Sequence, residues 1–276
     1  MSKRWLVFCL AIAPHMGVAQ QPWRSADHVA AIPRSRLDSI TERGRVLAGY
    51  DNAAWHGTDA VVAIHPDTAG MRAYMARANA DGRWEVVFGR PSANADTFYV
   101  ASRAVQSATS DTVFTATSLA RPVADVGYYA RAFRALELCS RDMGGRATRP
   151  YNSMVVPADG SNEWFVYFVP APTTSGVWPL GADVRFRVAS DGRQILERRR
   201  LHNDVIEFTG KSSDGKQLVA GMHAAVLADQ PEDTDVFHVL TRTPRVPEYI
   251  VTKSYYFSIA IDGRIAAYDR DTTIHH

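Results

Sequence analysis

"ANADGRWE" (residues 78–85) carries the tripeptide Asp81-Gly82-Arg83, which returns as Asp191-Gly192-Arg193 and again as Asp262-Gly263-Arg264. Such a repeat is either a ligand signature copied into successive blades or one turn made three times. Strand-like residues flank every copy, and Asp-Gly alone recurs at 159–160 and 214–215. Glycine takes the positive φ that a tight hairpin requires, and aspartate tolerates the position before it. The spacings between copies, 110 and 71 residues, are too unequal for a propeller or a solenoid. The tripeptide therefore reads as a turn.

Register sharpens this reading. A three-residue loop ending in the glycine sets Arg77 opposite Glu85 and Tyr74 opposite Phe88 in the first copy. In the second it sets Arg185 opposite Glu197 and Phe186 opposite Leu196, and in the third Ile259 opposite Ile265 and Tyr256 opposite Tyr268. Cross-strand charge and apolar pairs contribute about 0.2–1 kcal/mol each, so the bulged three-residue turn is expected in all three. Arg83, Arg193 and Arg264 then open the return strands on the exposed side.

Around these hairpins, Leu37, Ile40, Leu47, Tyr50 and Ala54 fall on one helical face, which predicts a first helix from 35 to near Trp55. Strands follow at about 60–65, 71–79, 83–90, 97–105 and 112–118. Pro122 sets the start of a second helix, continued by Val126, Tyr129, Phe133 and Leu136 and stopped by Gly144-Gly145. Beyond it nearly everything reads as strand, including 217–227 and 235–243. The predicted fold class is α+β: mainly antiparallel β-sheet in two helix-then-strands halves, 34–120 and 121–270, each sheet with a helix on one face. Residues 271–276 form a tail.

The N-terminus places Lys3 and Arg4 before an apolar run at 5–13, with small residues at 17 and 19. That order predicts a secretory signal over 1–19, followed by an extended arm over 20–33. Cys9 lies inside the signal's apolar run, away from any lipid-attachment context. No later stretch approaches the roughly 18 apolar residues needed to span a bilayer. Cleavage after Ala19 removes two cations and leaves 29 basic against 29 acidic residues, which disfavours a nucleic-acid partner. The expected location is periplasmic or secreted, with no disulfide, since Cys139 is then the only cysteine. Its place on the apolar side of the second helix argues for a buried thiol over a nucleophile.

Two groups of side chains could carry function. Tyr50, Asp51, Trp55, His56 and Asp59 cluster within ten residues, and a helix ending at Gly57 would let His56 meet Asp59 as an acid/base or ligand-binding pair. The alternative is that Tyr50 and Trp55 anchor the helix while the polar residues satisfy the turn. His223 and His238, read as facing strand residues joined by the acidic loop 229–235, could hold a divalent metal. Against this, a site needs three or four ligands, and no His-Glu-x-x-His spacing exists. No cofactor is otherwise indicated. Gly210-Lys211-Ser212 imitates a phosphate loop, but Val205 stands where its first glycine belongs. Gly-x-Ser-x-Gly is absent. Glu197-Arg198-Arg199-Arg200 reads as a solvated edge strand.

The segments "YDNAAWHGTDA", "YNSMVVP" and "PLGADVRFRVASDGR" together resemble a group of uncharacterised exported proteins of Gram-negative bacteria. The resemblance covers about residues 45–268 and implies an exported protein; it assigns no chemistry to any residue. The expected function is a module that binds a protein partner or small ligand in the cell envelope without catalysis. The alternative is a periplasmic or secreted hydrolase, metal-dependent if His223 and His238 are its ligands.

Overall fold

A computed structural model describes residues 32–270 apart from 145, 146, 148 and 213. The expected signal, Cys9, nearly all of the arm and the tail lie outside the described residues. The chain forms α1 (Arg34–Ala63), β1 (Ala73–Ala78), β2 (Trp84–Pro91), β3 (Phe98–Gln106), β4 (Phe114–Asp125) and α2 (Tyr128–Gly144). Then come β5 (Tyr151–Pro157), β6 (Trp164–Pro170), β7 (Trp178–Gly181), β8 (Val184–Val188), β9 (Ile195–Arg200) and β10 (Val205–Phe208). β11 (Gly221–Ala224), α3 (Asp233–Thr241), β12 (Glu248–Val251), β13 (Tyr255–Ile259) and β14 (Ile265–Asp269) complete the chain. The fold is α+β, with mostly antiparallel strands in four sheets.

These elements divide into two compact units. The first holds 32–45, 172–183 and 201–270 of the described residues; the second holds 46–171 and 184–200. The expected seam near residue 120 falls inside the second unit, and the chain passes between the units at 45/46, 171/172, 183/184 and 200/201 instead. In the second unit, the sheet β1-β2-β3-β4 and the sheet β5-β6-β8-β9 enclose the apolar face of α2. Ala130, Ala132 and Ala135 let the helix backbone come close to Phe98, Val166 and Phe186. Cys139 is fully buried in this core, where burial pushes its thiol up to about 12, so it is not a nucleophile at neutral pH.

The hairpins answer the question of the repeated tripeptide. Gly82, Gly160, Gly192, Gly215 and Gly263 all have φ between 65° and 84°, and Asp81, Asp191 and Asp262 each accept the N–H of the residue two places on. The first and third copies have the expected three-residue loops, with Arg77 opposite Glu85 and Ile259 opposite Ile265. The second departs from expectation. Ala189 pairs with Gln194 across a four-residue loop and a bulge follows, so Glu197 faces Arg187 rather than Arg185, and Phe186 faces Arg198. The reason is docking: Arg134 on α2 donates to the Asp191 carbonyl at 2.8 Å and Arg193 pairs with Asp96.

Other boundaries also move. Gly57 does not end α1, which runs on to Ala63, so the strand expected at 60–65 is helix. A Cβ at Gly57 would press on Val86 at 2.8 Å; the glycine serves close helix–sheet packing rather than termination. Helix α1 stops where His65 takes φ 49° ahead of Pro66. Pro122 lies in the edge strand β4, where a missing donor is tolerated, and Asp125 caps α2 by accepting from Gly127 and Ala130.

In the first unit, β11 and β12 are parallel and joined through α3, a β-α-β unit inside an otherwise antiparallel sheet. Val236 and Val239 of α3 pack with Leu37 and Ile40 of α1 on Ile250, Phe257 and Ile259. The strand expected at 235–243 is thus a helix. Its start follows from chemistry that an acidic-loop reading passes over. Pro231 precedes an N-cap, Glu232, and the Asp235 carboxylate reaches back to the Glu232 N–H at 2.7 Å in a capping box.

Candidate metal centre

The first unit buries an unusual set of polar side chains: Asp183, His202, His223, Asp233, Asp235, His238, Arg242 and Glu248. Asp183 follows β7, and the Leu201 N–H bonds to its carbonyl at 3.0 Å, which brings His202 alongside. His223 is the one inward-facing residue of β11. Asp235 stands in the first turn of α3, where the exposed amide ends favour a carboxylate.

Each of two imidazoles is gripped from behind. His202 Nδ1 lies 2.7 Å from Asp183 Oδ1, and His223 Nδ1 lies 2.9 Å from Glu248 Oε1. Glu248 is held in turn by Arg242 at 2.7 Å, whose guanidinium donates to the Val246 carbonyl and lies over the Phe208 ring. Gly221 makes room for this carboxylate, since a Cβ there would collide with Glu248 Oε2. With the Nδ1 atoms engaged, both Nε2 atoms turn toward Asp235 Oδ1, at 3.1 Å from His202 and 3.3 Å from His223. Both contacts are at ion-pair distance, and all three atoms are buried without a hydrogen-bond partner. Native interiors leave few such atoms, so three converging ones need a cause.

The spacing supplies a candidate. Ligand atoms about 2.0–2.1 Å from a tetrahedral metal stand roughly 3.3 Å from each other, near the two distances seen. The three atoms lie within 4.8 Å of one another. A carboxylate behind each ligating histidine is the usual outer partner, fixing the tautomer that leaves Nε2 free to ligate. Two imidazoles and a carboxylate suit zinc and its first-row neighbours better than calcium or magnesium, which prefer oxygen.

Protons are the competing occupant. Burial opposes charge on His202 and His223, but Asp235 with Asp183 holds the first well above its ordinary value, and Asp235 with Glu248 raises the second to about 9. Burial likewise opposes charge on Asp235, and the two histidines outweigh it and hold the carboxyl well below the usual range. His238 differs: burial takes it down to about 4, so it is neutral at pH 7, and its Nε2 has no hydrogen-bond partner.

Of the sequence-predicted metal pair, His223 joins the cluster through Asp235, while His238 stands on α3, not on a facing strand. His202, Asp183 and Glu248 were missed because they sit far apart in sequence, and Asp235 was read only as the end of the acidic loop. The available signal was the Glu-x-x-Asp capping box at 232–235, which turns the acidic loop into a helix start. The other predicted group does not assemble as expected. Tyr50 is buried in the second unit, Asp51 is raised by burial, and exposed Trp55 stacks on His56 at 4.9 Å, with Asp59 exposed one turn on. Because α1 continues through Gly57, His56 and Asp59 do not meet at a helix mouth.

No family model, curated protein or solved structure matches the chain.

Proposed function

We propose that this chain is an exported binding protein whose ligand is a divalent transition metal, zinc being the best fit, held by His202, His223 and Asp235. The observation that carries this reading is the convergence of three buried ligand atoms without a hydrogen-bond partner, Asp235 Oδ1 standing 3.1 and 3.3 Å from the two Nε2 atoms, with a carboxylate behind each imidazole. Charge is compatible with it. In metal-free protein the raised His202 and His223 balance Asp183, Asp235 and Glu248 together with Arg242; with both imidazoles neutral, two negative charges are left in a buried site, which costs heavily unless compensated. A divalent cation supplies that compensation and ties β11, α3 and the His202 segment together. Export rests on the charge, apolar run and small residues of 1–19 and on the resemblance to exported proteins.

Hydrolytic zinc sites also use three protein ligands, but they keep a position open to substrate. Here the side chains of His202, His223 and Asp235 are 9%, 3% and 0% exposed, which favours holding a metal over turning over a substrate. The test is elemental analysis of the purified protein after zinc loading and dialysis, beside His202→Ala and His223→Ala. One equivalent of metal that disappears in both variants is the expected result. Wild-type protein that keeps no metal sinks the proposal.

A further inference from the structure

His238 is the one buried imidazole in this part of the first unit that no partner explains. It is 6% exposed, its ring stands edge-on to Phe237, and its Nε2 has no hydrogen-bond partner. Burial drives off its charge, and the carboxylates that oppose this are Asp183 and Asp235, both part of the metal centre. On α3 it follows Asp235 by three residues, so the two side chains share a helix face. A carboxylate and a histidine at i, i+3 on one helix form a pair that buried metal sites in helical proteins use.

We propose that His238 supplies the fourth ligand, closing the centre into a shell of three imidazoles and one carboxylate with no position left for water. This inference rests on the metal reading given above and deepens it, because a closed shell makes the site one that stores or is stabilised by metal. His238 Nε2 falls outside the trio of atoms within 4.8 Å, so ligation requires its ring to turn. Histidine χ2 is a soft torsion, which permits that turn while α3 stays in place.

The experiment compares zinc affinity, by competition with a chromophoric chelator, in wild type, His202→Ala and His238→Gln, and records the visible spectrum of each protein loaded with cobalt(II). The expected result is that His238→Gln weakens zinc by well over about 100-fold, beyond the 10- to 100-fold typical of an outer partner, and shifts the cobalt bands away from the four-coordinate pattern of wild type. X-ray absorption of the zinc-loaded wild type reads the same point without any variant: three imidazoles support the inference and two overturn it. If His202→Ala loses metal while His238→Gln keeps wild-type affinity and spectrum, the fourth ligand is refuted and the three-ligand site stands. Wild type that binds neither zinc nor cobalt refutes both.

Discussion

The two units solve the problem of a protein interior in opposite ways. The second encloses apolar side chains from two sheets and α2, with Phe98, Val166 and Phe186 wholly buried and an inert thiol among them. The first has a smaller apolar cluster around Ile250 and Phe257, beside which stand three imidazoles, a guanidinium and several carboxylates. An apolar core is complete as folded, because its stability comes from area removed from water. A charged core is stable only while each charge has its partner, so the first unit depends on an occupant, protons or metal, that the second does without.

The sharpest way to break this contrast is to damage each interior and ask whether a chelator notices. Asp235→Asn removes the charge between the two histidines; breaking a buried pair of this kind costs about 3–5 kcal/mol. Phe186→Ala removes a fully buried ring from the second unit, with a cost of similar size, about 3–5 kcal/mol. In urea unfolding followed with and without EDTA, Phe186→Ala is expected to keep the wild-type response to chelator, and Asp235→Asn to lose it. A chelator response that survives in Asp235→Asn would remove the distinction between the units.

Proton competition gives the next effect in size. In metal-free protein, His223 is raised from 6.5 to about 9 by Asp235 and Glu248, after burial has opposed the charge. A raised folded value means that its stabilisation is fully present below pH 6.5 and is lost as pH rises through 9, about 3 kcal/mol in all. His238 works in the opposite direction: burial lowers it from 6.5 to about 4, so its contribution is present above 6.5 and fades as pH falls through 4. Metal-free protein should therefore be most stable near pH 6.5. Zinc holds His202 and His223 neutral and should abolish the alkaline decline. Melting temperatures across this range, with EDTA or with zinc, test it; superimposable curves would count against the site.

The contrast also explains how much was legible beforehand. Periodicity exposed the second unit well: β6 reads as apolar on both faces and is a central strand, and β8 alternates and is half exposed. Hydrophobic patterning speaks for residues whose role is burial. It is silent on His202, Asp183 and Glu248, whose role depends on elements distant in sequence meeting in space. The one local clue was the capping box of α3, and treating 229–235 as a loop hid both the helix and the β-α-β connection that aims Asp235 at His223. Gly57 misled for a related reason, since its value lies in a contact with Val86 that no local pattern contains.

The repeated Asp-Gly-Arg turn offers the smallest effect, and it separates recognition from architecture in both units at once. Among the described residues, Arg83 pairs with Asp81 of its own turn and Arg264 with Asp262 of its own, at 2.7 and 2.6 Å, each pair well exposed. The aspartate also accepts the backbone N–H of that same residue, and the glycine holds φ at 80° and 84°. Truncating either arginine to alanine leaves both of these in place, and exposed ion pairs contribute little on their own. Arg83→Ala and Arg264→Ala should therefore leave the unfolding midpoint, zinc content and chelator response where wild type has them. A variant that folds normally but loses zinc would show that the tripeptide reaches the site. Unchanged behaviour in both would mean that the chain repeats the tripeptide because aspartate and glycine build a hairpin, with arginine serving each turn locally.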